Sequence, residues 1–299
     1  MNPTVHPLPE APWGAIIGVY FMLVGLATGV TLVAYWVHPE DARAQVHYAW
    51  VTTWAAFLIL VAGSVLLVVD LGQPARFHLM VASVSNLGSP MSIGAKLIAC
   101  KLFLLAVSLS LLARRRGAVV VGDLSVTGSA TRALLSLVPA ALAVVSLALA
   151  VYPAVLLART WSAPLARTPV AGVLFLSTAL LMGAAAALIL ACLGRLRGDL
   201  ALRGRLRDVL LWLVVGQIPL LGLWLLSVDT HHAPLATALS HLIHGTGAAV
   251  FWLAVVGVGL GLPASLLPSF GRSRAVAICG ALAVLVGASM TRYLFFSLS

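Results

Sequence analysis

The sequence predicts an all-α integral membrane protein of eight transmembrane helices, and three observations carry that prediction. Of its 299 residues, 62% are hydrophobic and only 9% are charged. Soluble domains carry roughly 25% charged residues, so this chain could not be wetted on all sides. Several apolar runs reach the length of about 20 residues that a helix needs to cross a bilayer core. The runs are continuous, not alternating. In hydrocarbon no water serves the backbone, so such a run satisfies its own N–H and C=O groups only as a helix.

The spans fall at 14–37, 47–69, 93–113, 133–157, 169–193, 208–228, 239–262 and 275–297. The first carries Gly25, Ala27 and Gly29, the fifth a small-residue run from Gly183 to Ala187, and the seventh Gly245, Gly247, Gly257, Gly259 and Gly261. Small residues let helix backbones approach closely in lipid, so packing is their first role. Pro139 and Pro219 are candidate kinks in the fourth and sixth spans. The longest connections, 70–92 and 114–132, leave no room for an extramembrane domain, and a single membrane domain spans 1–299. Met1 to Pro12 holds no Lys or Arg. It therefore lacks the basic region of a signal peptide, and the first span is expected to remain as a helix.

The net charge of +10 arises from short basic clusters between apolar spans, a membrane pattern and not a nucleic-acid-binding one. One set of alternate connections holds Arg43, Arg114, Arg115, Arg116, Arg132, Arg195, Arg197, Arg203, Arg205, Arg207, Arg272 and Arg274; the other holds Arg76, Lys96, Arg159 and Arg167. Positive residues stay on the cytoplasmic side. A bias of twelve to four therefore puts both termini outside, in the periplasm of a Gram-negative host, with the chain in the bacterial cytoplasmic (inner) membrane. The arginine clusters read as topological anchors that touch anionic lipid headgroups.

Cys100, Cys192 and Cys279 stand singly in separate spans. Zinc and iron–sulfur sites need clustered thiolates, so no metal or redox centre is expected. His231, His232, His241 and His244 raise the possibility of haem. A haem held between helices needs facing histidines deep in different spans, whereas these four share one short stretch, which favours surface or docking roles. Ionisable residues at membrane depth are costly and mark function or pairing. Asp70, where the second span meets its outer loop, reads either as a proton carrier or as a helix-end partner of Arg76. Lys96 can snorkel to the interface. Lys101 and Arg292 lie deeper and read either as a proton route or as a structural ion pair.

The loop after the second span runs Asp70-Leu71-Gly72-Gln73-Pro74-Ala75-Arg76-Phe77, then Gly88-Ser89-Pro90-Met91-Ser92-Ile93-Gly94. The first span contains Tyr20-Phe21-Met22-Leu23-Val24-Gly25-Leu26-Ala27-Thr28-Gly29, and the fourth ends Tyr152-Pro153-Ala154-Val155-Leu156-Leu157-Ala158, followed by Trp161 and Pro164. The fifth has Leu174-Phe175-Leu176-Ser177-Thr178-Ala179-Leu180 before Gly183, and the last has Gly287 followed by Arg292-Tyr293. In this order along nearly the whole chain, the motifs resemble the membrane subunits of the NrfD/polysulfide-reductase family.

The resemblance implies two four-helix bundles, 14–157 and 169–297, with a quinone pocket in the first. It implies a subunit that exchanges electrons between a quinone (menaquinone or ubiquinone) and an iron–sulfur partner, while a molybdopterin-type subunit performs the substrate chemistry. Tyr152 would hydrogen-bond a quinone carbonyl, the alternative being a place in the interfacial aromatic belt. Asp70 would carry the proton. The family often supplies Asn and His at the start of the first helix; this chain has Pro12, Trp13 and Gly14 there, so Trp13 and His78 are the substitute quinone contacts. A proton-linked transporter without quinone chemistry is the alternative from another class, though the inverted repeats of such proteins are not evident. A purely structural anchor is a second alternative.

Overall fold

The computed structural model describes residues 15–70, 90–121, 129–159, 164–193, 199–228, 233–266 and 273–297. All regular structure among them is helical. The long helices are α1 (Ala15–Trp36), α2 (Ala42–Asp70), α3 (Pro90–Val121), α4 (Ser129–Ala158), α5 (Pro169–Leu193) and α6 (Leu200–Leu226). There follow α7 (Ala233–Ile243), a π-helix over Val250–Gly261 that runs into α8 (Leu262–Leu266), and α9 (Arg274–Ser297). A 3-10 turn, Pro164–Arg167, leads into α5. Among the described residues, seven helices are long and apolar enough to cross a membrane. The chain is a multi-span membrane protein.

The helix starts have local causes. Asp41 accepts from the backbone N–H of Ala44 at 2.8 Å ahead of α2, and Asp199 caps α6 by accepting from Leu202 at 2.8 Å. Each satisfies a donor that a first helical turn leaves free. α3 and α5 begin on prolines, Pro90 and Pro169, where a missing N–H costs nothing. α4 continues through Pro139 and Pro153, and α6 through Pro219.

Seven expected spans appear with shifted ends. The stretch expected as one span over 239–262 does not form a continuous α-helix. α7 stops at Ile243, a turn spans His244 to Gly247, and the chain resumes as the π-helix. Gly245 and Gly247 remove side chains at the break. Gly257, Gly259 and Gly261 let the backbone widen, and the Leu262 N–H reaches back to the Gly257 carbonyl. The apolar helix Val250–Leu266 that results is shorter than the seven long ones.

Packing puts α1 and α5 at the centre. α1 lies against α2, α4, α5 and α9, and α5 against α1, α4, α6 and α9; α3 bridges α2 and α4, while the π-helix packs on α9. In lipid no hydrophobic force drives helices together, so close contact at small residues must do it. At the α1–α5 crossing a Cβ on Gly29 would strike the Ala179 carbonyl, and one on Gly183 would strike the Gly29 backbone. Gly259 of the π-helix and Gly287 of α9 touch in the same way. Exposed Trp212, Leu226, Leu253 and Phe103 form the outward, lipid-facing surface.

The helix connections define two ends. Arg43, Arg114 to Arg116, Arg203, Arg205, Arg207 and Arg274 gather at one, hereafter the arginine-rich end. The C-terminus of α2 and of α4 and the N-terminus of α3 lie at the other, the Asp70 end.

Candidate functional site

Tyr152 lies near the end of α4 and is 8% exposed. Its ring occupies the space that a Cβ on Gly94 of α3 would need. The glycine thus makes the seat for the phenol, and the two residues come from separate motifs. Phe21 of α1 stands 6.4 Å from the Tyr152 ring, tilted by 38°. Phe21 in turn packs against Tyr20 at 4.7 Å and stacks on Phe296 of α9 at 4.8 Å. The Tyr152 hydroxyl has no hydrogen bond among the described residues. Its ring is held between Gly94 and an aromatic wall at the end of α4.

Arg292 holds that wall from behind. It is 1% exposed. Its Nε donates to Thr178 Oγ1 at 3.1 Å, one terminal nitrogen to the Phe21 carbonyl at 3.1 Å and the other to the Phe175 carbonyl at 2.5 Å. The guanidinium also lies 5.1 Å from the centre of the Phe175 ring, a cation–π distance. Gly25 leaves room for it, since a Cβ there would fall on the guanidinium. A buried charge needs its donors matched; here the planar fork is matched by two carbonyls and a hydroxyl, and no carboxylate pairs with it among the described residues. Arg292 therefore ties α9 to α5 and α1, and it grips the residue whose ring faces Tyr152.

Lys101 is fully buried on the same face of α3 as Gly94, two turns further in. Its Nζ donates to the Ala27 carbonyl of α1 at 3.2 Å. Lys96 is half-buried, between Gly94 and Lys101 in sequence. Asp70 is the last residue of α2 and half-buried. α2 and α4 both pack on α1 and α3, so Asp70 and Tyr152 share an end of the molecule on opposite sides of that group. Trp13, His78 and Arg76 lie outside the described residues, as do His231 and His232. His241 closes α7 and His244 sits in the turn after it. Among the described residues no three His, Cys, Asp or Glu side chains come together as a metal site. Cys192 is buried, and Cys100 and Cys279 are exposed.

Sequence reasoning passed over two features. One is the seat itself: Gly94, Phe21 and Thr178 stand inside the quoted motifs, but nothing in their spacing says that Gly94 meets Tyr152 or that Thr178 meets Arg292. The other is a half-open cavity of about 410 Å³ at the arginine-rich end, set among α1 to α4 and lined in part by Tyr48, Thr52, Ser108 and Pro139. No motif marked those positions.

Comparison with curated proteins gives no match. The family model for polysulphide reductase, NrfD, matches residues 5–297. That span takes in the Tyr152 seat, the Arg292 tie and every helix described, and the chain belongs to the NrfD, polysulphide-reductase family.

Proposed function

We propose that this chain is the quinone-reactive membrane subunit of a respiratory oxidoreductase, built as two four-helix bundles, with its site at the Asp70 end. The observation that carries the reading is the Tyr152 phenol near the end of α4, seated on Gly94 and walled by Phe21. A tyrosine hydroxyl can donate to a quinone carbonyl, and the wall fixes where this one stands. The packing of α1 with α2 and α4, and of α3 with both, supports a first bundle; α5, α6, the π-helix and α9 supply a second, with the broken stretch 233–266 as the remaining span.

Each residue has a task in this reading. Tyr152 donates a hydrogen bond to the carbonyl and orients the ring. Asp70, at the membrane boundary, takes or gives the proton that accompanies electron exchange. Trp13 and His78 complete the contact surface, and Lys101 with Arg292 supplies polar groups at depth, Arg292 chiefly by fixing Phe21. The quinone itself supplies the two-electron chemistry. An iron–sulfur subunit docks at the Asp70 end and connects to a molybdopterin-type catalytic subunit. The positive-inside bias puts that end in the periplasm, with the protein in the bacterial inner membrane.

The test is composition of the complex isolated in mild detergent. Quinone and an iron–sulfur subunit are expected to co-purify with the chain in near-stoichiometric amounts. A complex free of both, with an ion gradient driving solute uptake when reconstituted, would establish the transporter alternative instead.

A further inference from the structure

The cavity of about 410 Å³ lies at the opposite end from Tyr152, toward the arginines. Its volume is that of a small-molecule pocket, in the range of roughly 300–1,000 Å³. Leu105, Leu111, Leu112, Leu135, Val138 and Leu142 give it apolar walls. Into these walls are set hydroxyl groups of two kinds. Thr31 and Thr52 are already engaged, donating to the carbonyls of Ala27 and Tyr48 at 2.8 Å each. Tyr48 and Ser108 are not. Tyr48 is 1% exposed and its hydroxyl has no partner among the described residues. Ser108 is 8% exposed and makes no hydrogen bond there either, whereas Ser110 and Ser64 return theirs to the carbonyl one turn back.

An acceptor is released on the third wall. Pro139 has no N–H, so the carbonyl of Leu135 lacks its helical donor, and both residues line the cavity. Two unpaired hydroxyls and a freed carbonyl in a leucine-walled chamber are the complement of a flat apolar ring that carries carbonyl or hydroxyl oxygens. An acyl chain would leave all three unpaired, at a cost for each. Gln45, His38 and Arg115 line the cavity toward the basic end, where a ring's polar edge would meet headgroup water.

We propose that this chamber is a second binding site for a quinone-class ligand, at the other face of the membrane from Tyr152. It goes beyond the reading of the Tyr152 site, and only binding is assigned to it. The experiment uses the intact complex in nanodiscs, photolabelled with an azido-substituted short-chain ubiquinone analogue and mapped by peptide mass spectrometry. Label is expected on residues 45–53 and 105–112. Ala49→Phe, which fills the chamber from α2, should remove that label and leave labelling near Tyr152. Tyr48→Phe should raise the concentration needed for half-labelling by about five-fold, as loss of one hydrogen bond implies.

Label confined to the Asp70 end, as for a chamber holding only water or an acyl chain, overturns the second site alone. Labelling of 45–53 that persists in Ala49→Phe overturns it too. Absence of label from both ends would remove the quinone reading of Tyr152 as well.

Discussion

At the scale of single residues, Tyr152 is the proposed quinone contact, and Arg292 holds the aromatic wall behind it. Tyr152 was singled out because Tyr152-Pro153 matched a motif. Its seat was not, because a residue such as Gly94 contributes by the absence of a side chain and no sequence pattern states which neighbour fills the gap. Arg292 was legible as a buried cation, but the expected alternatives were an ion pair and a proton route. The partners found are the Phe21 and Phe175 carbonyls and Thr178 Oγ1, and backbone acceptors cannot be read from residue identity. For Asp70 the half-buried position at the end of α2 suits proton exchange with the outer water. Asp70→Asn is expected to reduce quinone-linked turnover about ten-fold or more, since a lost general acid–base group is worth 10²–10⁴-fold. Turnover with artificial dyes should be unchanged. Steady-state assays with both acceptors check this, and equal loss in both would assign Asp70 to assembly.

At the scale of helices, α1 and α5, and likewise the π-helix and α9, are held by contacts between backbones. A Cβ at Gly29 would strike the Ala179 carbonyl, and neither side can yield without moving a helix. Gly29→Ala should therefore lower the midpoint of thermal unfolding clearly, with a cost of the order of 1–3 kcal/mol or more from overpacking. Gly216→Ala on α6, where a Cβ meets nothing within 4 Å, should raise stability by up to about 1 kcal/mol through helix propensity alone. Thermal melts of the two purified variants check the contrast; a neutral Gly29→Ala would mean the crossing is looser than described. The span lengths were legible because hydrophobic run length maps directly onto helices. The interruption at His244–Gly247 was not, because the apolar residues on both sides of this short segment read together as one span. Only Gly245 and Gly247 hinted at a break, and glycine pairs equally mark close packing in lipid.

At the scale of the whole molecule, charge gives the chain its two faces. The basic bias of twelve to four predicts that alkaline phosphatase fused after Ser299 is active and that one inserted near Gly204 is inactive. The reverse pattern would move the Tyr152 end, and with it the proposed docking face for an iron–sulfur partner, to the cytoplasm. The large cavity among α1 to α4 escaped the sequence because it is a property of how four helices diverge, and its lining residues have no common spacing. The proposed site depends above all on Tyr152 presenting its hydroxyl to a quinone. The most direct measurement is steady-state turnover of the assembled complex carrying Tyr152→Phe, run in parallel with quinone and with an artificial dye. Dye turnover is expected at the wild-type rate and quinone turnover several-fold lower, in line with one lost hydrogen bond. Wild-type rates with both would contradict it and put the quinone chemistry elsewhere in the chain.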